Sequence, residues 1–598
     1  MSSILHILRN FVRVMGAAAF VVLVTLTPAA AQQLRAGVGV EIDVRVGDAG
    51  ELLADEIEIL SEARTLTLRG PLEAVFADLP AFRVLGRWIR YVPDSTTLAP
   101  PDEVMSLTDI PIGTFVEVKV RDNRGLQYAR EIDRAAKQAR KVKGTISGVS
   151  RSSGRSVLAI DGLSISLTSD TDIIPANNGM FDELFGEMRS DDLIGDESGY
   201  HSIGDAVLFS GSLRSIARLE DSYSLAPGSD DMVGVGEPSA RVEVLAMLPG
   251  GFRLFTQGQA IQQYQLYRSG ESLAEDPTGD PKLRIRQLYL AAPSLFGLPV
   301  GFIAGKLRVR DNREFLFDEY LDGARLYVYP AGSLALEASV FTPVAPLKTR
   351  FETWRDVLVQ LRWFPGQNWR GNVYSLMRFD EDIERNRDVR YYGASLEGKH
   401  DFLKIWGNGA LLRGTDKGRP QEAYAYDVGV GLRARGLPFR PGVSVSYAVG
   451  SGDRDGSDQI SGDFRQTGYD DNSSRVWGLA SFSHFGEVLD PELNNLSILT
   501  ATFGVRSRSR VSLDFAAHRY LLMEPSDELD HVGLDAPGTV LTGESLDVGY
   551  GADGILALRD VLPGIHLTYK VGVFLPGSAF SSAAGQAWSH KLELRIDP

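Results

Sequence analysis

Positively charged side chains recur at every second position in parts of the second half of the chain. Lys306, Arg308 and Arg310 alternate with other residues, and this alternation places them on one face of a β-strand. A row of guanidinium and ammonium groups attracts anions and concentrates them. The same alternation predicts one anion-attracting surface from these residues: Arg284, Arg286, Lys306, Arg308, Arg310, Arg325, Arg362, Arg378, Arg433, Arg435, Arg506, Arg510, Lys570, Lys591 and Arg595.

Acidic side chains on the same strand faces allow a second interpretation of the basic residues. The alternation also places Glu397, Asp514, Asp547 and Glu593 on the polar face. An arginine beside such an acid can form an ion pair that stiffens the wall and selects no cargo. The sequence leaves both interpretations open for each individual arginine.

Two groups of neighbouring carboxylates have the composition of a glycosidase acid pair. One group is Asp318, Glu319 and Asp322, and the other is residues 380–382. Both fall at strand ends beside arginines, so ion pairing in a loop is the favoured interpretation. The eight histidines form no HExxH pattern, and no GxSxG occurs. We therefore expect neither enzymatic activity nor a cofactor.

A possible calcium loop is present at Asp453, Asp455 and Asp458. Carboxylates that alternate near a glycine can wrap a hard cation. The closing bidentate glutamate is missing, so an exposed loop without metal is the favoured interpretation. The acids between Ile174 and Tyr200 lack a fixed ligand spacing and predict a flexible, solvated loop.

The elements that carry the basic residues have the pattern of membrane-spanning strands. Alternation continues from residue 240 to residue 598 with hardly any helical periodicity. At about ten residues per strand, and a similar allowance per connection, this segment yields about 16–18 strands. Charges on the lipid face would cost about 2–4 kcal/mol each near the midplane, so the basic face must line the lumen. We predict an all-β protein with a large antiparallel transmembrane β-barrel whose apolar face contacts lipid.

Composition and the first residues indicate where such a barrel would reside. Residues 1–31 have the basic region, short apolar run and Ala-x-Ala end of a secretory signal peptide. The chain has no cysteine, which suits a protein that crosses an oxidising periplasm unfolded. Its formal net charge of −16 argues against nucleic acid as a partner. We expect a barrel in the cell outer membrane, surrounded by its lipid, with the N-terminal part in the periplasm.

An internal repeat sets residues 32–225 apart from the rest. Strand patterns that begin at Gly39 and Leu53 return at Gly113 and Tyr128. A third, weaker copy runs from Gly204 through Val207 to Glu220. Short alternating strands with glycine turns predict small OB-like β modules.

A stretch rich in glycine, proline and aspartate follows these modules. Residues 226–239 therefore predict a linker between the repeat region and the barrel of residues 240–598.

Four blocks of sequence occur in order within the barrel region. They begin with NREFLFDEYLDGARL at Asn312 and continue with residues 447–472, 485–496 and 569–580. Together they resemble the signature of the alginate export family of outer-membrane porins. The resemblance covers roughly residues 240–598 and nothing before them.

The resemblance implies a large monomeric barrel with an arginine-rich constriction through which a polyuronate leaves the periplasm. By the matching motif, it places Arg310, Arg313, Arg325 and Arg465 in the constriction or its supports. It implies that the partners of these arginines are the acids Asp318, Glu319 and Asp322.

The expected function is export of an anionic polysaccharide, of the alginate type, through a basic lumen. Two alternatives remain open: a general anion-selective diffusion porin for small acids, and an envelope structural or adhesion protein that acts through its N-terminal modules. The front modules are absent from the family's porin. They suggest a fused periplasmic partner or contacts with scaffold or secretion-complex proteins.

Overall fold

The computed structural model describes most of the barrel region and the strands of the N-terminal region. The predicted signal peptide and most of the acid-rich stretch after Ile174 lie outside the described residues. No helix in the described part is long and apolar enough to cross a membrane. The described residues are 39–46, 51–60, 66–76, 81–91, 97–99, 110–123, 126–134, 140–152, 155–160, 163–174, 201–203, 207–226, 231–268, 281–292, 295, 298–311, 313–331, 333–342, 354–366, 369–380, 388–400, 402–416, 418–434, 437, 439–454, 459–507, 510–534, 536–559, 561–562 and 564–597.

The chain divides into two compact units, and the smaller one contains the first 11 strands. These strands are β1 (Gly39–Val46), β2 (Leu52–Leu60), β3 (Leu66–Phe76), β4 (Ala81–Val84), β5 (Arg87–Arg90), β6 (Thr97–Ala99), β7 (Phe115–Asn123), β8 (Leu126–Arg134), β9 (Lys141–Ser152), β10 (Arg155–Ile160) and β11 (Leu163–Ile174).

Strand pairing in the smaller unit closes two five-stranded rings. The first small barrel has the order β1-β2-β11-β10-β9 and returns to β1. The second has the order β3-β4-β5-β8-β7 and returns to β3. Each ring contains a single parallel pair, β2 with β11 and β5 with β8. The prediction of small OB-like modules is confirmed.

The first two copies of the predicted repeat occupy equivalent places in these rings. β1 and β2 carry the first copy, and β7 and β8 carry the second. In both copies alternate apolar residues fill the interior; Val40, Ile42, Val116 and Val118 are completely buried. The period-two pattern therefore identified the core face of each strand correctly.

The larger unit contains the remaining strands. They are β12 (His201–Ile203), β13 (Val207–Asp221), β14 (Val233–Leu248), β15 (Phe252–Ile261), β16 (Tyr264–Arg268), β17 (Lys282–Ala292), β18 (Val300–Arg310), β19 (Asp318–Ala331), β20 (Leu334–Phe341), β21 (Trp354–Gly366), β22 (Trp369–Asp380), β23 (Asp388–His400), β24 (Leu403–Asp416), β25 (Arg419–Arg433), β26 (Gly442–Gly450), β27 (Ser473–Ser474), β28 (Phe482–Ser483), β29 (Leu496–Ser507), β30 (Val511–Leu522), β31 (Asp547–Leu558), β32 (Ile565–Pro576) and β33 (Ala587–Ile596).

These strands form a closed antiparallel barrel. The sheet follows chain order from β12 to β33, without the short β27 and β28, and closes where β13 pairs with β33. β12 pairs only with the start of β13, and β16 extends β15 along β14. Without these two additions, 18 strands complete the circuit, which confirms the predicted barrel.

The start of the barrel corrects two interpretations of the sequence. The third repeat copy is wrong, because Val207–Asp221 is one continuous barrel strand. The predicted linker is wrong as well, because β14 occupies Val233–Leu248. Gly234 suggested a flexible linker, but it lies in the sheet, where a Cβ would come within 3.1 Å of Tyr267 Cβ. The barrel therefore begins at Val207 and not at residue 240.

Side-chain exposure and connection length define the surfaces and ends of the barrel. Outward residues such as Val373, Val430 and Val445 are about half exposed, as a lipid-facing surface requires. Connections at one end are short, such as 249–251, whereas the other end includes 451–495. We call these the short-turn end and the long-loop end; β13 enters the barrel at the short-turn end.

Candidate functional site

The end of the β18–β19 hairpin lies inside the lumen. Pairing of β17 with β18 stops at Leu288 and Lys306, so the hairpin continues beyond its neighbour. Arg313 Nε, in the loop of this hairpin, donates to Asp427 Oδ2 on β25 at 2.7 Å. Its guanidinium lies 4.7 Å from the ring centre of Trp406 on β24. Because Asp427 and Trp406 are buried on the inner wall, this hairpin tip (residues 306–322) spans part of the lumen.

The position of the hairpin tip corrects the predicted lipid face of β18. Leu307 and Val309 alternate with the arginines and should have contacted lipid. They are only 0% and 1% exposed, because the tip is surrounded by the rest of the lumen on both of its faces. On β21, by contrast, Arg362 is buried between the outward Leu361 and Trp363.

Each basic residue of the hairpin tip has an acidic partner, and Arg308, with Nη2 3.8 Å from Glu314 Oε1, has two. Arg308 Nη2 donates to Asp318 Oδ2 at 2.7 Å, and its Nε bonds to the other oxygen. Lys306 Nζ lies 3.9 Å from Asp322 Oδ2. Arg310 pairs with Glu314, a buried acid in the loop. Of the predicted supporting acids, Asp318 and Asp322 thus pair with Arg308 and Lys306, and Glu319 accepts a bond from the Tyr320 N–H.

The long connection after β26 also folds into the lumen. This inner loop, residues 451–495, contains buried residues such as Phe464 and Thr467. Its Gln466 side chain donates to the Phe315 carbonyl of the hairpin tip. Tyr391 Oη on β23 donates to the Arg465 carbonyl at 3.1 Å. The inner loop therefore joins the hairpin tip to the wall.

The inner loop reaches the short-turn end of the barrel. Trp477 packs over Gly431 and Gly442, where a Cβ would lie 2.4 and 2.6 Å from the indole. Arg559 Nη2, just beyond β31, donates to the Leu479 carbonyl at 3.0 Å. Glycine is thus required at these two wall positions, because the indole takes the space of their side chains.

Arg378 on β22 connects the wall to the inner loop and is 0% exposed. Its Nε and Nη2 donate to the two carboxylate oxygens of Asp356 at 2.8 and 3.0 Å. Its Nη1 donates to the Thr467 carbonyl of the inner loop. The guanidinium lies 3.8 Å from the ring centre of Trp354 and 4.5 Å from that of Tyr469. Such an enclosed pair can hold structure but has no surface left for a passing anion.

Glu337 on β20 is completely buried and faces two arginines. Its Oε1 lies 3.5 Å from Arg325 Nε, and its Oε2 lies 3.2 Å from Arg362 Nε. Ser339 Oγ and Gln360 Nε2 donate to the same carboxylate at 2.6 and 2.7 Å. One carboxylate therefore forms ion pairs with two guanidinium groups.

Glu397 on β23 has an even larger number of cationic neighbours. Its oxygens lie 3.2 Å from Arg370 Nη2, 3.5 Å from Lys399 Nζ and 3.7 Å from Lys404 Nζ. Glu337 and Glu397 together thus face five cations with two carboxylates. We call this group of seven side chains the cation-rich wall: Arg325, Arg362, Arg370, Lys399, Lys404, Glu337 and Glu397.

A cavity of about 660 Å³, a volume that includes open solvent, separates the hairpin tip from the cation-rich wall. Asp311 is the one carboxylate among its lining residues, and its oxygens accept the Phe315 and Leu316 N–H groups. Asn408 Nδ2 is buried and has no hydrogen-bond partner among the described residues. The polar lining residues include Arg310, Arg325, Arg362, Arg370, Gln360, Asn372, Ser395 and Asn408.

The other residues predicted for the anion path lie apart from this cavity. Arg286 Nη1 donates to Gln259 at 3.0 Å, and Arg284 lies opposite the same glutamine in register. Arg433 and Arg506 lie at the short-turn end of their strands. Arg465 Nη1 lies 4.0 Å from Asp416 Oδ2 near the long-loop end.

The possible calcium loop remains a prediction. Asp453 Oδ2 lies 2.9 Å from Arg419 Nη2, and its backbone N–H bonds to Asp463. Asp455 and Asp458 lie outside the described residues.

Four acids that pair with the luminal arginines were missed in the sequence: Glu314, Glu337, Asp356 and Asp427. Strand alternation could have found the last three, because each occupies an inward position between outward residues. Glu337, for example, alternates with Leu336 and Ala338 in a strand of otherwise small and apolar residues. The loop residue Glu314 follows no such pattern. Its backbone has a positive φ of 56°, which only the folded loop shows.

Comparison with protein families gives one match in the barrel region. The family described as alginate export matches residues 227–592, which is more than half of the chain. No curated protein matches the chain.

Three solved structures resemble this fold at low sequence identity. OccAB1 of Acinetobacter baumannii is 13% identical in sequence, with a TM-score of 0.44. The match covers 66% of this chain and 97% of the OccAB1 chain. OccK11 (OpdR) of Pseudomonas aeruginosa has 12% identity and a TM-score of 0.41, with coverages of 65% and 95%. OpdK of Pseudomonas aeruginosa, crystallised with vanillate, has 10% identity and a TM-score of 0.42, with coverages of 67% and 100%.

Proposed function

Since the chain belongs to the alginate export family and is an outer-membrane β-barrel channel, we propose that it exports an anionic polysaccharide of the polyuronate type. The polymer would leave the periplasm through the lumen, with its carboxylates passing the cation-rich wall. The family match supports a transport role.

The excess of cations over acids on the cation-rich wall is the observation that carries this proposal. Two carboxylates, Glu337 and Glu397, can neutralise two of the five neighbouring cations. The remaining positive charge lies beside a polar cavity and attracts anions more strongly than it would in bulk water. Ion pairing alone would not require more cations than acids.

The cavity also offers hydrogen-bond donors suited to a uronate. Asn408 Nδ2 is a buried donor that no described residue satisfies, and a carboxylate or hydroxyl oxygen could accept its bond. The guanidinium groups of Arg325 and Arg362 present planar donors to a carboxylate. Many weak contacts of this kind would allow a polymer to enter and still leave.

The orientation in the membrane follows from the lengths of the connections. Outer-membrane barrels have short periplasmic turns and longer extracellular loops. We therefore assign the short-turn end to the periplasm. Because the chain enters β13 at this end, the two small barrels would lie in the periplasm, on the side from which the cargo comes.

Current recordings in planar lipid bilayers test this proposal with the full chain. Sodium alginate oligosaccharide should cause transient blockades, and neutral dextran of the same length should cause far fewer. The Arg325→Gln/Arg362→Gln variant should shorten the blockades, whereas Arg413→Gln, in an exposed pair with Glu422, should not. Equal blockade by dextran would contradict the proposal. Passage of small acids without polymer blockade would favour a diffusion porin.

A further inference from the structure

The β4–β5 hairpin of the second small barrel displays an aromatic residue between two arginines. Trp88 is 45% exposed, whereas Phe82 and Ile89 on the inner face of the same hairpin are completely buried. Arg83 lies directly opposite Trp88 in register, and Arg90 follows Trp88 on the same outward face. Exposure of an indole costs free energy in water, so its position on the outer face requires an explanation.

Contacts within the small barrel fix the geometry of this face. The turn residues Leu85 and Gly86 both have positive φ angles, of 50° and 72°. The Gly86 N–H donates to Glu73 Oε1 at 3.0 Å, and Glu73 Oε2 lies 2.8 Å from Arg83 Nε. The Arg83 guanidinium is thereby held 5.7 Å from the ring centre of Trp88. The aromatic and cationic groups are therefore positioned before any ligand arrives.

The first small barrel provides an internal comparison. Its β10–β11 hairpin occupies the place that β4–β5 occupies in the second ring. The outward residues there are Val157 and Ala159 on β10, paired with Ser166 and Ser164 on β11. These small, uncharged residues show that the fold itself does not require an indole and arginines on this face.

We propose that the outward face of the β4–β5 hairpin binds the anionic polysaccharide before it enters the large barrel, an inference that rests on the proposed function. The indole would stack on the apolar face of a sugar ring, and Arg83 and Arg90 would pair with carboxylates on neighbouring rings. Five-stranded barrels of this type use the face of their second and third strands for oligosaccharides and oligonucleotides, and β4 and β5 are those strands.

Binding to immobilised sodium alginate oligosaccharide, measured with the full chain in detergent, tests this inference. Trp88→Ala should weaken binding roughly tenfold, as loss of one aromatic stack predicts. Arg90→Gln should weaken binding less than Trp88→Ala does. The loss caused by Arg90→Gln should be larger at low salt than at high salt. Ser164→Ala on the equivalent hairpin of the first small barrel is the matched control and should bind as the unmodified protein does.

The outcomes separate this inference from the proposed function. Unchanged binding by both Trp88→Ala and Arg90→Gln would overturn the inference, even if the oligosaccharide still blocked the current through the large barrel. Weaker binding by Trp88→Ala with unchanged blockades would support the inference. If Trp88→Ala weakened binding of single-stranded DNA as much as binding of the oligosaccharide, this face would be a general polyanion-binding surface. That result would overturn the inference that it recognises sugar. If the oligosaccharide neither binds nor blocks the unmodified chain, both proposals fail.

Discussion

Arginines in two regions of the lumen have different numbers of acidic partners. At the hairpin tip, and where β22 contacts the inner loop, Arg308, Arg313 and Arg378 each pair with an aspartate. On the cation-rich wall, five cations share Glu337 and Glu397. We therefore propose two roles for basic residues: those with an aspartate partner hold the inward segments in place, and the excess positive charge of the cation-rich wall attracts anions.

Access to a cavity separates the two regions as well. Arg378 is enclosed by Asp356, two aromatic rings and a carbonyl, so nothing that passes through the lumen can reach it. Arg325 and Arg362 are also buried, yet they line a cavity. Changes in the first region should therefore affect stability alone, and changes in the second should also affect ion selectivity.

The largest effect is expected for Arg378→Leu. This change leaves the Asp356 carboxylate buried without its partner, which costs about 3–5 kcal/mol. We expect a lower urea midpoint in unfolding followed by gel mobility, and faster hydrogen exchange in residues 451–495. The double variant Asp356→Leu/Arg378→Leu should recover part of the loss. A midpoint equal to that of the unmodified protein would remove the distinction between the two regions.

Trp477→Ala should loosen the inner loop without changing ion pairing. Loss of a buried indole costs about 3 kcal/mol or more, and the facing glycines cannot fill the space. We expect faster hydrogen exchange across residues 459–495. The control is Trp363→Ala, because Trp363 is 47% exposed on the outer wall. Equal exchange in the two variants would show that Trp477 does not anchor the loop.

The sequence alone was sufficient for the barrel but not for the two kinds of arginine. Alternation of polar and apolar residues predicts which side chains face inward, and Arg362 is buried between the outward Leu361 and Trp363. It does not reveal that the hairpin tip bends inward, because that depends on where β17 stops pairing with β18. Nor does it reveal that Arg313 meets Asp427, since these residues lie 114 positions apart. The linker prediction failed at Gly234 for a related reason. The sequence does not distinguish a glycine that close packing requires from a glycine in a flexible linker.

A smaller effect is expected from protonation of His484 in the inner loop. Burial lowers the pKa of this ring well below its usual range, and the charges of Arg313 and Lys404 lower it further. The neutral ring therefore contributes stability above the unfolded pKa of about 6.5, and this contribution is lost as the pH falls below that value. The protection factors of residues 459–495, which correct exchange rates for the intrinsic effect of pH, should fall from pH 7 to pH 5, and His484→Gln should reduce this fall. An unchanged pH dependence in the variant would exclude His484 as its cause.

The smallest effect is expected for Arg413→Gln. Arg413 and Glu422 form a pair in which both side chains are more than half exposed. Exposed pairs contribute about 0–1 kcal/mol, so the urea midpoint should hardly move. A loss comparable to that of Arg378→Leu would mean that burial does not distinguish the arginines of this barrel.

The reversal potential across a bilayer under a KCl gradient tests the central claim most directly. The unmodified channel should prefer chloride, because the cation-rich wall carries more positive than negative charge. Arg325→Gln/Arg362→Gln should move the reversal potential towards zero, while Arg413→Gln should leave it unchanged. A double variant that keeps the full chloride preference would contradict the assignment of the cation-rich wall as the anion-selective part of the lumen.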